Sequence, residues 1–407
     1  MVDVKPFSAR FYDVKKVKRL DDVIVPPFDV ISDKEKEQFF NKSPYNFSRI
    51  IVGNKEDEYR SVALLFQKWQ QENILKTDTT RNFYFWEQAF YKGKRWVKRR
   101  GIVAGVKLND FNTGNILPHE KTLEAPIQDR LKIIHACRAN LSPIFMMYGD
   151  KKNEIEKWIL LSCKDPFLAW KDDQGVKSTV WRIEDLHVQK KIIAYFKQKK
   201  LYIIDGHHRF ATSLRYSQSD EGKKTPEAQY VLSVLVNMYD PAVVIYPIYR
   251  LLKPIKNFNA AQYLESLKPY FRVKKRTKIT FLRKYHWGVY FHGDKNVYEI
   301  SIKPKKLPAL LRKTPGHRSV KKLDVGLFET WLKPPQFSSE IRYVRGMGER
   351  LQEALAEVRS GKYQTLWMVR VPSMNEIKAV ADAKQTIPPK STFFYPKVFS
   401  GALIRCF

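Results

Sequence analysis

Residues 201–216 read Leu-Tyr-Ile-Ile-Asp-Gly-His-His-Arg-Phe-Ala-Thr-Ser-Leu-Arg-Tyr, a stretch that leaves little choice of local structure. Leu201 to Ile204 is a short apolar, β-branched run and predicts a buried strand. Asp205 is then placed to cap a helix whose first turn holds Gly206, His207, His208 and Arg209. Phe210 and Leu214, four apart, give that helix an apolar face against the strand. Gly206 lets a ligand approach the backbone, and the free N–H groups of a helix start attract anions. Two imidazoles and a guanidinium add donors at the same place. A carboxylate, a glycine and three basic donors in succession suit a phosphate site with an acid or base beside it. A capped helix with solvated polar residues would account for each letter singly; the cluster points to function.

At 407 residues the chain can bury a large core and is expected to hold two domains, or one elaborated domain. Lys and Arg number 74 against 42 Asp and Glu, a formal charge of +32. Such a balance favours polyanions, whether nucleic acid, anionic membrane or phosphorylated small molecules, without choosing among them. Most of the excess is expected as solvated surface, of the Lys-rich kind also met in thermophile proteins. Cys137, Cys163 and Cys406 lack metal-ligand spacing and fit a reducing cytoplasm better than a disulfide framework. The start, Met-Val-Asp-Val-Lys-Pro-Phe, has no signal-peptide profile. The best apolar stretch, around 229–249, is broken by Asn237, Asp240 and Pro241, so no membrane span is expected.

Val23 to Ile31 predicts a strand ending at a rigid Pro26-Pro27 turn that presents Asp29. Ser32 and Glu35 form a capping-box pattern ahead of a helix over about 33–41. Tyr59, Val62, Leu65, Phe66, Trp69 and Ile74 recur at near-helical spacing and predict an amphipathic core helix within 57–75. Residues 82–88 and 96–108 predict a hairpin turning at Lys92-Gly93-Lys94. Beyond the central motif, 230–237 and 243–250 predict strands, with a domain boundary near 250. Residues 260–270 predict a helix and 287–302 a hairpin around Gly293-Asp294. The acid-free segment 303–322, with Lys303, Lys305, Lys306, Arg312, Lys313, Arg318, Lys321 and Lys322, is expected as a mobile solvated loop rather than a polyanion-binding surface.

Two further polar stretches carry candidate ligands. Leu117-Pro118-His119-Glu120-Lys121-Thr122 precedes a predicted helix over about 126–138, where Arg130 and Arg138, eight apart, would share a face. His119, Lys121, Arg130 and Arg138 could wrap a phosphate, with Glu120 as acidic partner; a loop with surface ion pairs explains the same residues. Near the C-terminus, Lys390, Ser391 and Thr392 gather donors suited to an oxyanion, although a Pro-rich strand returning to the sheet also fits.

Four stretches taken together resemble a known family: Pro26-Pro27-Phe28-Asp29-Val30-Ile31; His119-Glu120-Lys121-Thr122 with Asp129-Arg130; Asp205-Gly206-His207-His208-Arg209; and Pro389-Lys390-Ser391-Thr392 with Tyr395-Pro396-Lys397. They resemble a long-uncharacterised bacterial and archaeal family that includes pyrophosphate-dependent free L-serine kinases. The central motif is also similar, more distantly, to the phosphate-binding motif of the ParB/sulfiredoxin superfamily, which includes archaeal ADP-dependent serine kinases. Phe28 stands where the family pattern has tyrosine, and Pro118 where it has arginine.

The resemblance implies a mixed α/β fold: a ParB/sulfiredoxin-like catalytic domain over 1–250 and an α+β domain over 251–407 that returns residues 388–401 to the site. It implies transfer of a phosphoryl group from pyrophosphate to free L-serine, with Mg2+, in the cytoplasm. Asp205 is then the first choice for general base, with Glu120 and Asp29 as alternatives or Mg2+ ligands. His207, His208 and Arg209 would hold the donor phosphates, assisted by His119, Lys121 and Arg130. Lys390, Ser391 and Thr392 would complete the anion site or hold the serine carboxylate. An ATP- or ADP-dependent serine kinase keeps the same residues. A ParB-like nucleotide- or nucleic-acid-binding protein is the non-catalytic rival, but no helix-turn-helix reader is found and specific nucleic-acid binding is not expected. Oligomeric state is not encoded in any motif.

Overall fold

A computed structural model describes residues 1–53, 57, 59–278, 283–334, 341–346 and 348–407. It is a mixed α/β structure with two compact units. Unit 1 comprises Met1–Pro118, Thr122–Val244 and Pro396–Phe407; unit 2 comprises His119–Lys121 and Ile245–Tyr395. No helix among the described residues is long and apolar enough to cross a membrane.

Unit 1 is built on a nine-stranded mixed sheet. Its centre is the predicted hairpin, Phe83–Lys92 and Arg95–Lys107, paired from Lys92↔Arg95 outward. Gly93 supplies the positive φ that the tight turn needs. Tyr230–Asn237 pairs antiparallel with Arg95–Lys107 on one side and parallel with Ile144–Tyr148 on the other. Leu201–Asp205 comes next, flanked by Ile144–Tyr148 and Ile116–Leu117. Placed between two strands, Leu201 to Ile204 are all buried, which is why that run is apolar throughout rather than alternating. Phe210 of the following helix, His207–Gln218, packs into the sheet core with Leu214 beside it.

Several local expectations hold. Helix Asp33–Lys42 begins with both reciprocal bonds of the Ser32/Glu35 capping box, and helix Arg60–Gln71 buries Val62, Phe66 and Trp69; residue 58 lies outside the described residues. Others are corrected. Val23 to Ile31 is no strand: Val25 makes one bridge to Ser400, and Phe28–Val30 is a 3-10 turn. Pro26 and Pro27 remove two backbone donors that a strand would need. Arg130 and Arg138 do not share a helix face, because Glu124–Cys137 ends before Arg138, whose left-handed backbone turns it out to Glu221 at 3.3 Å.

Unit 2 holds an antiparallel six-stranded sheet in the order Phe271–Arg276, Val297–Ile302, His286–Phe291, Thr365–Val369, Ile248–Leu252, Ile341–Arg345. Alternation along Thr365–Val369 sends Trp367 and Val369 to one apolar core and Leu366 and Met368 to another, so both faces are covered. The predicted strand over 243–250 is split at Pro247 into Val244–Tyr246 and Ile248–Leu252. The basic segment is not a loop. It forms the 3-10 turn Pro304–Lys306 and helices Leu307–Lys313 and Arg318–Lys321, anchored by Leu307, buried Leu310 and Leu311 between the lysines.

Candidate active site

The end of strand Leu201–Asp205 brings charged side chains from two segments together in unit 1. Asp205 does not cap the following helix. Gly206 occupies that position at φ +92° with no side-chain cap, a backbone state that disfavours other residues. The Asp205 carboxylate instead receives Arg209 Nη2 on one oxygen at 2.7 Å and Lys397 Nζ on the other. One helical turn brings Arg209 back over Asp205. The turn also needs Gly206 for space, since a Cβ there would lie 3.0–3.1 Å from the guanidinium. Burial alone would raise the pKa of Asp205. The charges of Lys397 and Arg209, a hydrogen bond from Lys397 and the nearby His207 override it and hold the carboxyl well below the usual range.

The remaining motif residues are set by the same helix start. Arg209 Nη1 donates to the Pro143 carbonyl. His207 is buried, and His208 Nε2 accepts from the Leu123 amide at 3.0 Å, which places its proton on Nδ1. A cavity opens beside Arg209, lined among others by Phe28, Arg130, Asn140, Ser142 and Ser213. Ser142 and Ser400 are hydroxyl to hydroxyl at 2.6 Å.

Arg130 is a neighbour of that cavity with its donors already in use. Nε and Nη2 bind the Asp129 carboxylate at 2.9 and 2.6 Å, Nη1 the Ile51 carbonyl at 2.6 Å, and Nη2 also the Tyr59 hydroxyl at 2.9 Å. Tyr59 in turn donates to Asp129 at 2.6 Å, and the Phe28 ring lies 4.1 Å from the guanidinium carbon. These contacts make Arg130 the centre of a closed network in this structure. Asp29, next to Phe28, is exposed on its 3-10 turn.

The other candidates meet one another within unit 2. His119 is buried, with Nε2 3.5 Å from Thr392 Oγ1. Glu120 bridges to Ile387 and accepts from the Lys390 amide at 3.4 Å. Ser391 is buried and donates to the Pro388 carbonyl at 2.6 Å, while Lys121 and Lys390 are exposed. Residues far apart in sequence, 119–120 and 390–392, therefore form one local cluster.

A family model described as "Protein of unknown function (DUF1015)" matches residues 4–326. The chain belongs to that family. No curated protein matches. Among solved structures, a free serine kinase in complex with AMP is similar at 12% identity, covering 75% of this chain and 91% of its own, with a TM-score of 0.38. A conserved hypothetical protein from Pyrococcus furiosus gives 14% identity, 73% and 92% coverage and a TM-score of 0.34. SbnI with C-terminal truncation from Staphylococcus aureus gives 13%, 73%, 85% and 0.37. Likenesses this remote carry nothing about what this family member binds.

The sequence resemblance implies Mg2+. Among the described residues no three His, Cys, Asp or Glu side chains gather as a metal site, and both oxygens of Asp205 already face cations. Lys397, which pairs with Asp205, was not singled out from sequence as a ligand, nor were Gln88 and Arg99, whose side chains donate to the Lys397 and Pro396 carbonyls. Lys397 had a signal, since it closes the Tyr395-Pro396-Lys397 motif. Arg99 had none, because it stands in a run of basic residues that reads as a solvated strand, yet it is 2% exposed.

Proposed function

We propose that the chain is a small-molecule kinase that transfers a phosphoryl group from pyrophosphate to the hydroxyl of free L-serine, giving O-phospho-L-serine and phosphate. The observation that carries this reading is the meeting of Lys397 and Arg209 on the Asp205 carboxylate at the start of the central helix. A helix start flanked by cations favours an anion. The four motifs supply the identity of that anion and of the acceptor.

In the transfer, the serine oxygen attacks the terminal phosphorus in line. The bond to the bridging oxygen breaks, its electron pair leaves with phosphate, and the hydroxyl proton passes to Asp205. While Lys397 and Arg209 hold it, Asp205 is a poor proton acceptor. A donor phosphate competes for both cations, and a buried carboxylate released from its counter-charges gains proton affinity. Asp205 thus becomes a base only in the loaded site. His207, His208 and Arg209 are assigned to the donor phosphates. Glu120 and Asp29 follow Asp205 as candidates for the base. His119, Lys121, Lys390, Ser391 and Thr392 keep the anion- or carboxylate-holding roles that the motif resemblance gives them.

The test is direct: purified protein, L-serine and Mg2+ are incubated with pyrophosphate, ADP or ATP in separate reactions and assayed for O-phosphoserine. Pyrophosphate is expected to serve. Turnover with ATP or ADP alone would make the chain a nucleotide-dependent serine kinase, and no phosphoserine from any donor would leave a phosphate-binding module without turnover.

A further inference from the structure

The short C-terminal segment Pro396–Phe407 belongs to unit 1, and the way its first residues are held is unusual for a chain end. Gln88 Nε2 donates to the Lys397 carbonyl at 3.0 Å, and Arg99 Nη2 donates to the Pro396 carbonyl at 2.6 Å. Arg99 Nη2 also donates to Gln88 Oε1. Gln88 and Arg99 face each other across the central hairpin and are 4% and 2% exposed. The Arg99 guanidinium lies 4.7 Å from the centre of the Phe145 ring, and Phe145 is the strand partner of Asp205. Two consecutive carbonyls are therefore gripped from the rigid middle of the sheet, and the side chain between them and the site is Lys397, directed onto Asp205.

A buried guanidinium is an expensive way to tie down a chain end, because desolvation takes back much of what its bonds return. The same two carbonyls could be met by neutral donors. What the clamp adds is a fixed position for an ammonium beside a carboxylate that Arg209 already pairs. The charges facing Asp205 are Lys397 from the C-terminal segment and Arg209 and His207 from the helix.

We propose that Lys397 is a catalytic residue, the ammonium that leaves Asp205 to neutralise the transferring phosphoryl group, and that Gln88 and Arg99 are positioning residues that set it there. This rests on the kinase reading above. The bonds made and broken are those already described: Lys397 stays protonated throughout and only exchanges the Asp205 oxygen for a phosphoryl oxygen, while Asp205 takes the serine proton. Two roles that would otherwise conflict, a weakly basic resting carboxylate and a working base, are thereby linked by one movement of charge.

The experiment uses the full chain and two independent readouts, pyrophosphate binding by calorimetry without serine and phosphoserine formation. Lys397→Met is expected to weaken pyrophosphate binding at least 10-fold and to lower kcat on the order of 100- to 1,000-fold, as removal of a preorganised charge donor does. The KM for serine should change little. Lys397→Arg should restore most of the binding and guards against a Met variant that fails to fold. Gln88→Leu should lower kcat about 10-fold and move the acidic limb of the pH profile upward, because a displaced ammonium no longer depresses Asp205. Arg99→Lys, which keeps the charge but loses the planar guanidinium that meets both Pro396 and Gln88, should lower kcat in the same direction as Gln88→Leu. Wild-type protein that binds pyrophosphate through Lys397 but makes no phosphoserine would remove the serine-kinase reading and leave the anion role of Lys397 standing. A folded Lys397→Met protein that binds pyrophosphate as the parent does would overturn the inference whatever the turnover. So would a Gln88→Leu protein with an unmoved pH profile and unchanged kcat.

Discussion

Asp205 in unit 1, partly buried, and Asp324 in unit 2, fully buried, are both carboxylates met by an arginine, and their further partners differ. Around Asp324, Arg370 Nε donates at 2.7 Å, and the same guanidinium binds Glu376 with Nη2 at 2.8 and 2.9 Å. Lys284 reaches Glu376 at 2.9 Å. Two carboxylates thus face two cations, and Glu376 also closes the capping box of helix Met374–Asp382 with Ser373. Around Asp205 one carboxylate faces Lys397 and Arg209, with His207 close by. The first arrangement is complete and ties a fold together. The second brings a lysine of the C-terminal segment and the helix arginine onto one carboxylate, with Arg209 also lining a cavity, the place proposed above for an anion.

Removing each aspartate gives the largest contrast. Asp205→Asn should cut serine phosphorylation on the order of 100-fold or more, since a positioned base supplies roughly 10²–10⁴. It should also lower stability, by about 3 kcal/mol, because Lys397 and Arg209 lose the carboxylate they share. Added pyrophosphate should recover more of the melting temperature in this variant than in the parent. An Asp205→Asn protein that loses stability but turns over normally would make the two clusters alike and pass the base to Glu120 or Asp29. Asp324→Asn should cost about 3–5 kcal/mol of stability while the fraction that remains folded phosphorylates serine at the parent's rate, and no phosphate compound should rescue it.

Smaller changes sharpen the same contrast. Gly206→Ala forces a side chain into φ +92° and against the Arg209 guanidinium; about 1–3 kcal/mol of strain is expected, with weaker pyrophosphate binding, measured by melting and calorimetry. Acid should find the balanced cluster first as a stability term. Burial would raise the pKa of Glu376, but Lys284, the Ser373 amide and Arg370 bring it down to about 2. A carboxyl depressed on folding contributes stability that is complete above its unfolded value of roughly 4.3 and is lost as pH falls through the folded value. Between about pH 4.5 and 2 the parent should therefore lose on the order of 1 kcal/mol through this group, a modest figure because the carboxylate is only partly buried. Glu376→Gln should flatten that part of the stability curve, and an unchanged acid profile would refute the assignment.

What could be read from sequence follows the range of the interactions involved. The strand and helix around residues 201–216, the capping box at Ser32 and the hairpin at Gly93 are written in contiguous residues and emerge as expected. The cap at Asp205 was misread because its carboxylate answers to Lys397, 192 positions away, and local capping chemistry loses to a buried ion pair. Arg130 shows the same limit. Its type and place suggested a phosphate ligand, whereas Tyr59 and Ile51, distant in sequence, engage it here. Arg99 could not be recognised at all, since the letters of a basic strand do not say which of its cations the sheet will bury.

The smallest expected effect concerns the charge that gave composition its emphasis. Lys305, Lys306, Arg312, Lys313, Arg318 and Lys322 are exposed on short helical turns whose leucines, not their lysines, make the packing. Unlike Lys397 they face solvent, where a cation keeps its hydration and gains little from any one phosphate. Together they should still attract a polyanion by releasing its counterions, a term that disregards base sequence. Duplex DNA is therefore expected to bind weakly at low salt, with an affinity that falls steeply as salt rises and vanishes near physiological strength. Charge reversal of Lys305, Lys306, Arg312 and Lys313 should reduce the slope of log affinity against log salt and leave pyrophosphate binding at Lys397 untouched. Titrations of one duplex and its scrambled control across a salt series decide the matter: a preference for one sequence that persists at physiological salt would mean that this surface, and not only the cluster at Asp205, is built for a particular ligand.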